Sequence, residues 1–253
     1  MQLKVYILDA SYEVVSREPH VILWGIDSNG RRVLLRDRRF RPYFYVIPES
    51  EELIDKLVNE IKRIGRPSSP IISVDVVDRK YYGKTIKAIK VTTVIPEYVR
   101  EYREIAKKMP GVKEVLEADI RFAMRYLVDN DISPCTWHIF EVKEVSKSPM
   151  YRVDAIYEVE SLVERLEEPI PPKLRVLAFD IEVYNPRGAP RMGRDPIIII
   201  AVMTSDGELK QFVAKDKDDR EVIKNFIEFV QSYDPDIIVG YNSDRFDWPY
   251  LLE

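Results

Sequence analysis

RVLAFDIEVY, residues 175–184, decides how the second half of this chain is read. In a strand, successive side chains point to opposite faces. Asp180 and Glu182 would then share one face, and Phe179, Ile181 and Val183 the other. Two neighbouring carboxylates repel each other, and burying them costs hydration. A bound divalent cation is the usual remedy, and hard oxygen donors suit magnesium or manganese. Taken alone, a D-x-E in a strand is more often a pair of solvated acids on an exposed edge-strand face. The flanking VLAF, and the IIIIAV that follows, favour a central strand.

Downstream, IIIIAVMT (197–204) and LKQFVA (209–214) read as two more strands. Asp218 and Glu221 have the spacing of a capping box, and Val222, Ile223, Phe226, Ile227 and Val230 form an apolar helix face. DIIVGY (236–241) is the next strand. The stretch VGYNSDRFDWPYLLE (239–253) then brings Asp247 to a helix start, where an aspartate is ordinarily an N-cap.

Upstream, EEPIPPKL (167–174) reads as a stiff, extended linker. Residues 137–160 alternate like two strands, so 136–173 is expected to be a connector. Before it, residues 3–8, 21–27, 32–36 and 40–47 are β-rich. Ser50 looks like a cap for a helix running to Gly65. Strands follow at about 71–78 and 85–94, then a helix from Pro96 to Met109, a strand at 112–118 and a short helix in FAMRYLVDN (122–130). From 43 to 118 the order is βαββαβ, a split βαβ pattern that hosts many functions. The expected domains are 1–135, the connector, and 174–253.

Composition bounds the rest. With 45% hydrophobic and 32% charged residues the chain is globular, and a net charge of −4 excludes a globally basic nucleic-acid protein. Local charge must therefore decide. Arg31, Arg32, Arg36, Arg38, Arg39 and Arg41 form either a solvated surface or a phosphate-tracking stripe, and the loop PRGAPRMGRDP (186–196) poses the same choice. The single Cys135 excludes a disulfide scaffold. His20 and His138 lie too far apart in sequence to suggest a histidine metal centre, and all three are most simply structural. No apolar run is long enough for a membrane span and MQLKVYILDA is no signal peptide, so an intracellular protein is expected.

Taken in order, the D-x-E strand and Gly240-Tyr241-Asn242-Ser243-Asp244-Arg245-Phe246-Asp247 resemble the first two exonuclease motifs of family B DNA polymerases. Phe40-Arg41-Pro42-Tyr43 and the run from Glu117 to Leu127 are similar to signature stretches of the archaeal enzymes' N-terminal domain. The resemblance covers nearly the whole chain. It implies an α+β N-terminal domain with a ferredoxin-like core and extra strands, followed by a truncated α/β ribonuclease-H-like exonuclease domain. It implies a DNA-directed DNA polymerase with 3′–5′ proofreading. Asp180, Glu182 and Asp247 would be catalytic ligands of a two-metal magnesium or manganese site, and Asn242 and Phe246 would shape a channel for single-stranded DNA. Plain core packing is the competing role for Phe246. The partners implied are single-stranded template and primer DNA and, through a longer parent, a sliding clamp.

The family's third exonuclease motif, Tyr-x-x-x-Asp, and its palm motifs occur nowhere in the sequence. The expectation is the front end of a longer polymerase, cut inside the exonuclease domain and nearly inactive alone. The alternatives are a DNA-binding module without catalysis and a stand-alone ribonuclease-H-like exonuclease. The archaeal enzymes also sense template uracil, in a pocket matched here by Pro42, Tyr43, Pro96, Val99, Glu117, Phe122 and Arg125. Phe122 would be apolar wall, and Arg125 would hold the pocket together through Glu117 or a phosphate. The aromatic that the family places near its first strand has only Tyr6 and Tyr12 as candidates, and Ala10 falls nearest in register.

Overall fold

A long hairpin begins the fold. β1 (Gln2–Val15) and β2 (Glu18–Asp27) pair antiparallel through a tight turn at Ser16 and Arg17, and β3 (Arg32–Asp37) adds to β2. The computed structural model describes residues 1–166, 170–186 and 188–253. Two compact units divide the chain, Met1–Pro171 and Pro172–Glu253.

In the first unit, β8 (Trp137–Val145) pairs antiparallel with β1, and β9 (Ala155–Leu166) pairs antiparallel with β8 and parallel with β3. The result is a closed barrel in the order β1-β2-β3-β9-β8. This corrects the expected connector at 136–173. Val5, Ile7, Leu23, Leu35, Phe140 and Tyr157 fill one core, and the inward faces of β8 and β9 can be covered only by closing the sheet. The second strand of that pair begins at Ala155, not at Tyr151 as its alternation suggested. Of the expected linker, Glu167, Glu168 and Pro169 lie outside the described residues.

Between β3 and β8 the chain runs β4 (Tyr43–Pro48), α1 (Ile54–Ile64), β5 (Ile71–Tyr81), β6 (Lys84–Thr93), α2 (Pro96–Ala106) and β7 (Val112–Leu116). The sheet order is β5-β6-β4-β7. Phe44, Val46, Ile89 and Val91 turn one face toward Leu57, Ile61, Val99 and Tyr102 of the two helices. Expected residues 40–42 stay outside β4, since Pro42 cannot donate to a ladder. Ser50 is the N-cap of a 3-10 turn over Glu51–Leu53 that precedes α1, but its side chain makes no capping hydrogen bond. α3 (Phe122–Asp129) lays Phe122, Tyr126 and Leu127 onto the barrel core.

The second unit has β10 (Val176–Val183), β11 (Ile197–Thr204), β12 (Leu209–Val213), α4 (Arg220–Tyr233), β13 (Ile237–Val239) and α5 (Asp247–Leu252). The sheet order β12-β11-β10-β13 makes β10 an interior strand, parallel to β13 and antiparallel to β11. The expected capping box does not form. The N-cap of α4 is Asp219, and Asp218 instead accepts from the Arg220 backbone and guanidinium, while Asp219 Oδ2 accepts from the Ile197 N–H at 3.1 Å.

Candidate functional site

On β10 the two readings of the acidic pair each hold in part. The strand is interior, but Asp180 and Glu182 are exposed on the open face, while Phe179 and Ile181 are buried against α4 and α5. β13 pairs with β10 only as far as Ala178, after which the chain turns away. Gly240 makes that turn possible: a Cβ there would lie 2.7 Å from the Ser243 Cβ and 3.1 Å from the Phe179 carbonyl. Asn242 takes a left-handed φ of 58°, and its carbonyl accepts from the N–H groups of Arg245 and Phe246.

The turn delivers Asp247 as the first residue of α5. The N-cap is Phe246, so Asp247 does not take the ordinary capping role that stood as the alternative to a ligand role. Asp247 is only 2% exposed, and its Oδ1 meets no hydrogen-bond donor. Burial, and then the neighbouring charge of Asp180, push its carboxyl above the usual aspartate range, while backbone donors at Asp247 and Ile181 oppose the shift. Asp180 and Asp247 are thus brought together, and Glu182 shares the open face with Asp180. Among the described residues no three acidic, histidine or cysteine side chains are gathered closely enough to hold an ion. The donors fit a hard cation chemically, since a dry, unpartnered carboxylate oxygen beside a second carboxylate calls for positive charge, but the set is incomplete as it stands. Asn242 is exposed. Phe246 is half-buried with its ring 5.1 Å from Tyr250, so packing accounts for most of it.

In the first unit, a cavity of about 890 Å³ opens where β1, the approach to β4, the start of α2 and α3 meet. Pro42, Tyr43, Pro96, Val99, Phe122 and Arg125 line it, six of the seven expected positions. Glu117 does not line it but braces it, pairing with Arg125 at 2.6 Å from a backbone held at φ 59°. Arg125 is 6% exposed, lies 4.8 Å over the Tyr43 ring and reaches Asp129, whose Oδ2 accepts from the Tyr43 hydroxyl at 2.6 Å. Its Nε has no acceptor. Burial and the bond to Asp129 hold the Tyr43 phenol far above its ordinary range.

Ala10 and Tyr12 both line the cavity, with the Tyr12 ring edge-on to Phe122 at 5.3 Å, whereas Tyr6 packs on Trp137. Arg100 and Arg103 line it too and were missed. The signal was available: positions 96, 99, 100 and 103 share one face of a helix.

Other charged stretches are internally satisfied. Arg31 pairs with Asp27, Arg36 and Arg38 with Glu158, and Arg39 with Asp37, while Arg41 donates to the carbonyls of Arg38 and Phe40. In the 186–196 loop Arg194 pairs with Asp195, and Arg187 lies outside the described residues. His20 and His138 are buried, and Cys135 is exposed in a turn whose N–H donates to the Ile7 carbonyl. Among the described residues no helix is long and apolar enough to cross a membrane.

Comparison with known proteins identifies the family. Residues 113–253 match the family described as DNA polymerase family B, exonuclease domain. DNA polymerase 2 of Aeropyrum pernix is 45% identical over 99% of this chain and 32% of its own length. The DNA polymerase of Archaeoglobus fulgidus is 35% identical over 97% of this chain and 29% of its own. The solved family B DNA polymerase from the hyperthermophilic archaeon Pyrobaculum calidifontis superposes with a TM-score of 0.83 at 46% identity, over 98% of this chain and 31% of that one. The chain spans about a third of the length of these relatives.

Proposed function

This chain belongs to DNA polymerase family B, and from that membership we propose that it serves a DNA-directed DNA polymerase as its template-reading and 3′-editing part. On this reading the βαββαβ segment is a ferredoxin-like core, and the second unit is a ribonuclease-H-like exonuclease sheet. Single-stranded template and primer DNA are the ligands, and any sliding-clamp contact belongs to the larger assembly.

The observation that carries the editing role is the buried, unpartnered Oδ1 of Asp247 beside Asp180. Asp180 and Asp247 would hold magnesium or manganese, with Glu182 on the same face as Asp180 to orient a water. When bound, the metal supplies an activated water and neutralises charge on the departing 3′-oxygen. Asn242 sits at the bend of the turn, exposed where a strand end would pass, and Phe246 supports Asp247 from the core side.

Calorimetric titration with Mn²⁺ tests this. Weak binding is expected for the chain and none for Asp180→Ala or Asp247→Asn. In a polymerase containing this segment, Asp180→Ala should slow removal of 3′-terminal nucleotides by roughly two orders of magnitude or more. Unchanged metal binding in both variants would count against the site. A second reading, a module that contacts DNA without cutting it, is favoured by the absence of a three-ligand cluster among the described residues. It requires the 253-residue chain to bind DNA, yet to leave 3′ ends intact even with metal.

The first unit's cavity would take a base flipped out of the template. Uracil fits, and thymine is refused because its methyl group overpacks a wall that includes Phe122; such overpacking costs roughly 1–3 kcal/mol. Arg125, fixed by Glu117 and Asp129, keeps Tyr43 in place. Uracil-containing single strands should bind more tightly than thymine-containing ones at matched salt, and Phe122→Ala should narrow the difference. Equal affinities would sink the assignment.

A further inference from the structure

The β5–β6 hairpin ends in a two-residue turn that its own packing does not explain. Tyr81 pairs with Lys84, and Tyr82 and Gly83 between them have φ values of 47° and 79°. Such a turn selects Asn or Asp before Gly, because an L side chain in the left-handed region is strained. Tyr82 instead places a phenol there, 91% exposed, with its ring 4.6 Å from Tyr81. Exposed lysines on an edge strand guard it against pairing with other chains, but that duty needs no aromatic.

The sheet face opposite α1 and α2 links this tip to the cavity. Tyr43 lines the cavity and carries Lys90 over its ring at 3.9 Å. Tyr45 lies 5.4 Å from Tyr43, with the Arg79 guanidinium 5.0 Å over its ring and Arg79 Nε donating to its hydroxyl at 2.9 Å. Tyr81, at the tip, has Lys113 at 5.3 Å. Arg79, Lys84 and Lys113 are exposed and Lys90 is half-buried, so the buried rings of Tyr43 and Tyr45 and the half-buried ring of Tyr81 floor a row of cations. The acids near this row are engaged locally: Glu114 accepts from the Tyr81 hydroxyl, Asp75 from Ser73, and Glu117, close enough to act on Arg79, pairs with Arg125. Each cation sits where a phosphate could meet it, and exposed Tyr82, backed by half-buried Tyr81, offers a ring on which a base stacks.

We propose that this sheet face is a track for single-stranded DNA, which leaves the cavity past Lys90 and Arg79 and stacks on Tyr81 and Tyr82 at the hairpin tip. Charge complementarity and continuity with the cavity through Tyr43 select that occupant. The proposal rests on the reading of the cavity as a template-base site.

Fluorescence anisotropy with this chain tests it. The probes are uracil- and thymine-containing oligonucleotides of about four nucleotides, enough for the cavity alone, and about sixteen, enough for the track. The longer uracil strand should bind roughly tenfold more tightly or better at low salt. Lys84→Ala/Lys113→Ala, both side chains lying in water, should lose most of that gain. It should also flatten the logarithmic salt slope by about 1.4, two contacts at 0.7 each, and keep the uracil preference. Tyr82→Ala should weaken the longer strand roughly tenfold with the slope unchanged. Arg79→Ala removes a donor from buried Tyr45, so it is read only alongside its melting curve.

A length gain and salt slope untouched by the double variant would overturn the track, as would no binding of the longer strand at low salt. If uracil and thymine bind alike while the double variant still abolishes the length gain, the cavity reading fails and the track stands.

Discussion

Asp247 holds a position that stability alone would not select. Its carboxylate is buried, one oxygen lacks a donor, and Asp180 adds a like charge. Replacing it by the neutral isostere removes the desolvated charge and the repulsion together. Asp247→Asn should therefore raise the melting temperature of the second unit, by a gain on the order of 1 kcal/mol, while abolishing metal binding. The pH dependence has a definite sign. The folded value lies above the unfolded one, so the native state retains a proton that the unfolded chain releases. Stability associated with this group is greatest below the ordinary aspartate value of 3.8 and declines as pH rises through the raised folded value. Thermal melts across that interval should show the decline in the parent and a flatter profile in Asp247→Asn. Arg125 is the opposite case, a buried cation held by Glu117 and Asp129 and stacked on Tyr43. Arg125→Met leaves those acids without their partner, and a loss of about 2–3 kcal/mol is expected in chemical denaturation of the first unit.

At the scale of elements, the acidic strand owes its usefulness to how β13 ends. The β13–α5 turn approaches β10 so closely that Gly240 has no room for a side chain. Gly240→Ala must push the Ser243 region off the Phe179 carbonyl, which carries Asp247 with it. The expected outcome is a cost of roughly 1–3 kcal/mol and weakened manganese binding, even though no ligand has changed. Titration of that variant with full affinity would show that the turn does not position the acid. Local patterns made these elements readable in advance. Strand alternation put Asp180 and Glu182 on one face, and a polar turn after an apolar strand put Asp247 at a helix start. Helical spacing found α1 and α2, and could have found Arg100 and Arg103. The capping box at Asp218 was misread by one residue, and the side-chain bond expected of Ser50 does not form, because a cap depends on one residue's backbone angles, and composition constrains those only loosely. Glu182 and Phe246 show the same limit. Their faces were legible, but how many groups gather around an ion, or whether a ring faces core or channel, depends on packing beyond the strand.

For the molecule as a whole, the feature hidden from the sequence was closure of the barrel. β9 pairs with β3 in parallel, Val33 opposite Ala155, and β8 returns to β1, Val5 opposite His138. Neither pairing leaves a local signature, because the partners are distant in sequence and each strand alone looks like any half-buried ribbon. The expected boundary at residue 135 and the observed one at Pro171 therefore make opposite predictions about truncation. A chain ending at Pro171 keeps all five barrel strands, the α3 plug and the cavity, and should unfold in one cooperative transition with the proposed uracil preference intact. A chain ending at residue 135 loses β8 and β9. It leaves the edges of β1 and β3 unpaired and exposes the surfaces of Leu35, Val33 and Ile7 that Phe140 and Tyr157 cover. Losing that burial, at about 25 cal/mol for each Å² of apolar surface, exceeds what a domain with a net stability of roughly 5–15 kcal/mol can absorb. The shorter chain is expected to aggregate or to give no cooperative melt by circular dichroism. A folded, uracil-discriminating protein ending at residue 135 would mean that the barrel is dispensable and that the βαββαβ segment with α3 stands alone.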